Sequence, residues 1–210
     1  MNFKEIQKLD SYFVVYALIA GHWKGRTCID VGLNDRKYLS FWQPMFEKII
    51  GYEPNPWCNI DTSESKYDDC VVHKKAISNY TGEAILYCNM DDSGYSTLED
   101  YTKLNFGNNW KKIKQIEVEV TTLDNEHYNK TSDIDFIKID IEQHDNYALL
   151  GAEKIIKQCS PLVHVEHFDS YTRDIFKTFN YISFVPYDKR LGLWGIPKEK
   201  SHFFERWTKK

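Results

Sequence analysis

Acidic side chains follow two apolar segments near the start of the chain, where they could bind a nucleoside. Asp30 lies at the end of the apolar segment 27–31, Gly32 permits a turn, and Glu53 ends the next apolar segment 23 residues after Asp30. In Rossmann-type sheets an acid at this offset accepts hydrogen bonds from the two ribose hydroxyls. A lone Glu53 could equally be a solvated turn residue, but its pairing with Asp30 and Gly32 favours a nucleoside site.

The residues after the first strand indicate which nucleoside the site would take. A dinucleotide fingerprint needs three glycines so that backbone amides can approach a pyrophosphate. Residues 32–37 contain a single glycine, Gly32. Asp30 and Asp35 would repel a pyrophosphate and would suit a cation. S-adenosyl-L-methionine (SAM) carries a sulfonium cation and no phosphate. The charges therefore favour SAM over NAD.

Apolar segments that alternate between strand and helix patterns predict an α/β fold with a mostly parallel sheet. In such a sheet the ligand lies at the carboxyl ends of the strands, and all of those ends are polar or acidic here. The predicted strands are 27–31, 49–53, 71–77, 84–88, 115–122, 135–140 and 162–166, with a terminal antiparallel pair at 181–186 and 192–196. The predicted helices are 36–48, 145–157 and 172–179, with a helical segment in 1–24. The polar strand ends are 30–34, 53–54, 76–78, 140–144 and 166–167.

Seven short motifs together resemble the FkbM-type methyltransferase family. They are CIDVGLN (28–34), GYEPNP (51–56), KAISNYTGE (75–83), STL (96–98), VEVTTLD (118–124), DFIKIDIE (135–142) and LLGA (149–152). Each motif is weak alone, but their order and spacing follow the family over about residues 25–170. The resemblance implies a SAM-dependent methyltransferase that O-methylates a hydroxyl group of a sugar, glycan or small metabolite. It also implies the class I sheet, whose last strand is antiparallel, with a β insertion near 84–122. The length of 210 residues predicts one domain, 1–210.

The resemblance also implies which residues bind SAM. Asp30, Gly32 and Asn34 match the motif that holds the methionine portion. Glu53, followed by Pro54, matches the ribose ligand. The adenine edge matches Ala76, Ile77 and Ser78, and the acid beside the sulfonium and the acceptor matches Asp140.

Two stretches depart from the family pattern. Leu33 and Arg36 stand where the family usually has alanine and glycine, and Gln143-His144-Asp145 replaces Gly-Ala-Glu. Arg36 could bind the SAM carboxylate with its planar fork of donors, or it could obstruct the cofactor. These departures leave a catalytically inactive SAM or nucleoside binder as the first alternative to an active methyltransferase. Glu53 alone leaves an NAD-dependent oxidoreductase as a second alternative, which the missing glycines disfavour.

Methylation of a hydroxyl requires a group that removes its proton. Asp140, His144 and Glu166 are the predicted catalytic residues, and His167 lies at the same strand ends. We expect Lys138 to reach out at one end of its buried strand. Oxygens of Asp140, Glu142 and Glu166, with His167, could bind a divalent ion, but their spacing matches no metal motif, so no metal is predicted.

Composition excludes several classes of partner. The net charge of −4 makes a nucleic-acid substrate unlikely, although the tail 198–210 is locally basic. Five cysteines without a CxxC pair indicate free thiols in a reducing compartment rather than a disulfide framework. The early apolar run 12–20 is too short to span a bilayer. The sequence thus predicts a cytoplasmic protein with a small-molecule or glycan acceptor and no membrane partner; it does not indicate an oligomeric state.

Overall fold

The computed structural model describes residues 25–35, 39–58, 69–103, 112–185 and 192–200. The expected N-terminal helical segment, Arg36 and residues 201–210 of the tail lie outside them. The strands are β1 (Gly25–Val31), β2 (Phe46–Tyr52), β3 (Cys70–His73), β4 (Ala76–Ile77), β5 (Gly82–Asn89), β6 (Ser96–Thr97), β7 (Ile113–Thr121), β8 (Ile134–Ile139), β9 (Leu162–Val165), β10 (Tyr181–Phe184) and β11 (Leu193–Pro197). The α-helices are α1 (Leu39–Trp42), α2 (Leu123–His127), α3 (Asp145–Leu150), α4 (Glu153–Cys159) and α5 (Ser170–Thr178).

Within the described residues, seven strands form the large sheet in the order β10-β11-β9-β8-β1-β2-β3. The pairs from β9 to β3 are parallel, and β11 is antiparallel to both of its neighbours. The predicted α/β fold with an antiparallel last strand is confirmed. Cys28 and Ile29 on β1 belong to different apolar clusters, because the sheet is covered on both faces.

The remaining strands form the small sheet, in the order β4-β7-β5-β6. Its main unit is the antiparallel pair of β5 and β7, in which Ala84 lies opposite Val118. This is the expected β insertion. The single strand predicted for 71–77 is wrong, because Cys70–His73 pairs with β2 whereas Ala76–Ile77 pairs with β7. The chain thus passes from the large sheet to the small one at Lys74 and Lys75.

Two predicted helices are shorter than expected. The helix over 36–48 is confined to Leu39–Trp42 in the described part of that range, and Phe46 already begins β2; Pro44 lacks the N–H that a longer helix needs. The helix over 145–157 is divided into α3 and α4 at Gly151. A Cβ on Gly151 would lie 2.0 Å from the carbonyl oxygen of Ser78, so close packing against this carbonyl shapes the break. None of the helices in the described ranges is long and apolar enough to cross a membrane.

A buried histidine at the end of α2 makes stability depend on pH. His127 Nε2 lies 2.8 Å from the hydroxyl of Tyr52, and burial lowers the pKa of His127 to about 4. The unfolded chain takes up this proton near pH 6.5, so between about pH 6.5 and pH 4 the unfolded state binds more protons. Stability is therefore expected to fall as the pH drops through that window, by about 3 kcal/mol in total.

Urea unfolding at pH 7, 6, 5 and 4.5 checks this expectation. His127→Gln should remove that part of the pH dependence even if it lowers stability at pH 7. His73→Gln is the matched control because His73 also packs on Tyr52, with ring centroids 5.0 Å apart. Equal pH slopes for the wild type and His127→Gln would show that the histidine is not the cause.

Candidate functional site

A pocket lies at the carboxyl ends of β1, β2 and β8, between the large sheet and the small sheet. It encloses about 520 Å³ of empty space, part of it open to solvent. The large sheet and its loops provide Val31, Gly32, Asn34, Tyr52, Glu53, Pro54, Asp140, Ile141, Glu142 and His144. The small sheet and its loops provide Lys75, Ala76, Ile77, Leu86, Ser93, Gly94, Ser96, Thr97 and Leu98. The pocket occupies the place that the strand order predicts for a ligand.

Glu53 is held in place by the backbone on both sides of it. Its Oε2 accepts from the N–H of Asn34 at 2.9 Å, and its Oε1 accepts from the N–H of Asn55 at 2.8 Å. Burial raises the pKa of Glu53, and these two hydrogen bonds oppose the rise. A carboxylate has about four acceptor positions, so each oxygen keeps one for a ligand. Glu53 can thus accept from two neighbouring hydroxyl groups at once.

The turn after β1 requires glycine for two reasons. Gly32 has a φ of +83°, which favours glycine. A Cβ at this position would also lie 1.9 Å from the carbonyl oxygen of Asp140. Asn34, two residues later, also has a left-handed backbone conformation, with a φ of +51°. The turn therefore brings the loop after β1 against the loop after β8.

Lys138 is buried beneath the pocket, and the expectation that it reaches out of the sheet is wrong. Its Nζ lies 3.1 Å from Oδ1 of Asp30 and 3.1 Å from Oδ2 of Asp140, and its side chain is 1% exposed. The other oxygen of Asp30 accepts from Nε1 of Trp42 at 2.7 Å. The lysine stays inside because strand register places it beside Asp30, so its charge is compensated there.

This arrangement separates the roles of the two carboxylates. Asp30 is fully buried and does not line the pocket, so the structure places it under the turn rather than against a ligand. Asp140 lines the pocket. Burial raises the pKa of Asp140, but the Lys138 ammonium and a hydrogen bond with Glu166 outweigh this and leave its pKa below the usual range.

The loop after β8 has an unusual backbone. Glu142 and Gln143 have φ values of +51° and +73°, a left-handed conformation that costs non-glycine residues energy. The hydroxyl of Thr97 donates to the carbonyl of Glu142 at 2.8 Å and ties this loop to the small sheet. The family resemblance implies glycine at position 143, and this chain has glutamine in that left-handed conformation.

His144 connects the two sides of the pocket. Its Nδ1 lies 2.7 Å from Oε1 of Glu99 and its Nε2 lies 2.9 Å from the hydroxyl of Ser78. Burial lowers the pKa of His144, which favours the neutral ring. Since a carboxylate only accepts, Nδ1 carries the proton and Nε2 accepts from Ser78. Both ring nitrogens are thus engaged, and the histidine fixes the loop after β8 to the small sheet.

Acidic groups crowd together at the ends of β8 and β9. Burial, with Asp140 as the next contribution, raises the pKa values of Glu142 and Asp145 to about 8. Glu166 and His167 follow β9 directly and lie beside the pocket rather than in its lining. At pH 7 these raised pKa values leave Glu142 and Asp145 largely protonated, whereas the ionised Asp140 is paired with Lys138.

The structure brings most of the predicted site residues to one pocket. Those in its lining are Gly32, Asn34, Glu53, Pro54, Ala76, Ile77, Asp140 and His144. Asp30, Ser78 and Glu166 lie behind or beside it, and Arg36 lies outside the described residues. Sequence reasoning missed Glu99 and Asp145, because nothing in their spacing showed that they meet His144 and His167. The motif 96–98 was recognised, but without the role of Thr97.

The family model described as methyltransferase FkbM domain matches residues 30–187. The crystal structure of methyltransferase FkbM from Methylobacillus flagellatus KT is similar, with a TM-score of 0.52 and 15% identity over 82% of this chain. At this identity the likeness concerns the fold, and the chain covers only 43% of that relative. No curated protein matches the chain.

Proposed function

This chain belongs to the methyltransferase FkbM domain family, and we propose that it is a SAM-dependent methyltransferase. Its acceptor would be a hydroxyl group of a sugar, a glycan or a small metabolite. The observation that carries the proposal is the pocket at the strand ends, with the carboxylates of Glu53 and Asp140 in its wall. The net charge of −4 argues against a nucleic-acid acceptor.

The residues present fit the adenosine portion of SAM. Glu53 is oriented by two backbone N–H groups and keeps two acceptor positions, which suits the two ribose hydroxyls. Ala76, Ile77 and Leu86 provide an apolar wall on the small-sheet side, which suits a flat base. Ser78 lies behind this wall and donates to His144, so it would support the adenine side rather than contact it.

The residues near Gly32 and Asp140 fit the cationic end of SAM. Gly32 and Asn34 line the pocket on the side of the turn, where the methionine portion would lie. The family resemblance assigns Arg36 to the same place, outside the described residues. Asp140 is an ionised carboxylate at the pocket wall, so it would stabilise positive charge beside it.

SAM supplies a methyl group that its sulfonium already activates for in-line displacement. The protein would accelerate the transfer mainly by positioning the acceptor. We propose that Asp140 would accept a hydrogen bond from the acceptor hydroxyl and take up its proton as the methyl group is transferred to the oxygen, with Glu166 holding Asp140 in place. His144 acts as a positioning residue, because its two ring nitrogens are bound to Glu99 and Ser78.

Substitution of Glu53 tests the cofactor site. Glu53→Ala should weaken binding of SAM and S-adenosylhomocysteine by about 1–3 kcal/mol, since buried hydroxyl partners would lose their acceptor. Glu53→Gln should have a milder effect, because the amide keeps one acceptor oxygen. Isothermal titration calorimetry measures this loss. Glu153→Gln is the control, because Glu153 pairs with Lys157 on the surface of α4. Unchanged dissociation constants for Glu53→Ala would exclude the ribose role.

Two further measurements separate the alternatives. Titration with NAD tests for an oxidoreductase, and NAD binding in place of SAM would overturn the proposal. Turnover with SAM and a panel of sugar and small-molecule hydroxyls distinguishes an enzyme from an inactive binder. The five cysteines are free thiols, in keeping with a cytoplasmic location, which stays a prediction.

A further inference from the structure

The acidic cluster behind the pocket contains an unexplained buried oxygen. Asp145 is fully buried, yet its Oδ2 has no hydrogen-bond partner among the described residues. The group that it faces is Nδ1 of His167, 3.9 Å away, which is equally unpartnered within the described ranges. A buried carboxylate oxygen without a partner is costly, so something outside the protein is expected to satisfy it.

Nδ1 of His167 lies too far from the neighbouring carboxylate oxygens for hydrogen bonds, but the distances suit a shared metal ion. Nδ1 of His167 lies 3.9 Å from Oδ2 of Asp145 and 3.9 Å from Oε2 of Glu166. Ligand atoms of Asp140, Glu166 and His167 all lie within 4.8 Å of one another. Two atoms that each bind a metal at about 2.1 Å lie about 3–4 Å apart.

The elements hold these groups at one edge of the large sheet. Asp140 follows β8, Glu166 and His167 follow β9, and Asp145 begins α3. The N–H of His167 also donates to Oδ1 of Asp145 at 3.3 Å, which fixes the two residues against each other. The backbone therefore positions these residues, and the side chains of Asp140, Glu166 and His167 are partly buried there.

We propose that Asp140, Glu166 and His167 bind a divalent metal ion, with Oδ2 of Asp145 as a further ligand or a close acceptor. The sequence predicted no metal, because the spacing of these residues matches no known motif and Asp145 was not among the candidates. Lys138 already neutralises part of the charge on Asp30 and Asp140. The ion would compensate the remaining acids.

The donor set indicates the class of metal. One imidazole nitrogen with carboxylate oxygens suits Mn²⁺ or Zn²⁺ better than Mg²⁺, which prefers oxygen ligands and retains water. Mn²⁺ is the better probe here, because thiolates select softer ions and the chain has five free cysteines.

Calorimetric titration of the chelator-treated protein with MnCl₂, without SAM, tests the site. We expect one Mn²⁺ to bind per chain, with a higher affinity than Mg²⁺ shows in a parallel titration with MgCl₂. The affinity for Mn²⁺ should fall at least tenfold in His167→Gln and in Asp145→Asn. His73→Gln and Glu153→Gln are the matched controls and should bind as the wild type does. The titration contains no SAM, so a failure to bind Mn²⁺ would not contradict the proposed methyl transfer. A failure to transfer methyl groups would likewise not contradict the metal site.

The stability of the variants separates a ligand from a structural residue. Burial raises the pKa of Asp145 to about 8, so at pH 7 Asp145→Asn replaces a largely uncharged side chain by an uncharged one of similar size. The metal-free variant should therefore melt near the wild-type temperature while its Mn²⁺ binding is lost. If both variants fail to fold, Glu166→Gln is measured, because its side chain is 26% exposed. The proposal is overturned if the wild type binds no Mn²⁺, or if folded variants bind it as tightly as the wild type.

Discussion

Replacing Lys138 by methionine is expected to destabilise the folded protein by about 3–5 kcal/mol. The side chain is enclosed at the centre of the large sheet, and its ammonium lies 3.1 Å from carboxylate oxygens of both Asp30 and Asp140. Methionine fills a similar volume, so packing should be largely retained. The substitution removes the ammonium that compensates the fully buried Asp30 and leaves that carboxylate with its hydrogen bond from Nε1 of Trp42.

Denaturation in urea measures this loss, and two further variants identify its cause. Lys177→Met removes a lysine that lies 2.6 Å from Asp174 on the surface, with side chains 72% and 63% exposed. It should cost far less, because solvent screens exposed pairs. Asp30→Asn combined with Lys138→Met should be less destabilised than Lys138→Met alone. Equal losses at Lys138 and Lys177 would contradict the role of burial.

Gly32→Ala is expected to destabilise the protein by about 3 kcal/mol or more. The new Cβ would meet the carbonyl oxygen of Asp140 at 1.9 Å, and the φ of +83° is itself unfavourable for alanine. Relief requires the loops after β1 and β8 to separate. Because both loops line the pocket, SAM affinity should fall as well.

Two other glycines separate the effects of contact and conformation. Gly82 has a φ of +150° but no atom within 4 Å of an added Cβ, so Gly82→Ala should show the cost of conformation alone. Gly151 has an ordinary φ of −71°, but its Cβ would lie 2.0 Å from the carbonyl oxygen of Ser78. Thermal and urea unfolding should rank Gly32→Ala as the most damaging. A loss no larger than that of Gly82→Ala would mean that the close approach is unimportant.

The large sheet could be predicted because its apolar segments are short and end in polar residues. The break at Lys74 and Lys75 could not, since residues 71–77 have a continuous strand pattern. Their division depends on which partners they find, β2 for Cys70–His73 and β7 for Ala76–Ile77. Likewise, residues 145–157 have a helical pattern throughout, and the break at Gly151 reflects a contact with Ser78 from a distant part of the chain.

The candidate site was predictable where it follows from strand ends. Glu53 and Asp140 each come after a buried strand and reach the same pocket. Lys138 was misjudged because a lysine within an apolar strand gives no sign of its partner, which is Asp30 on the neighbouring strand. Asp145 was missed for a related reason, since its contact with His167 depends on how the start of α3 meets the residues that follow β9.

The position of the pocket between two separately hydrogen-bonded sheets has a mechanical consequence. The side-chain bonds that cross this boundary include Asn55 to Ser96, at 3.0 Å, and Thr97 to the carbonyl of Glu142, at 2.8 Å. A cofactor that contacts both sheets would have to dissociate before they separate, so its binding free energy would add to the work of separating them. The loaded protein would thus resist forces that separate the sheets more strongly than the empty one, with the gain set by cofactor concentration.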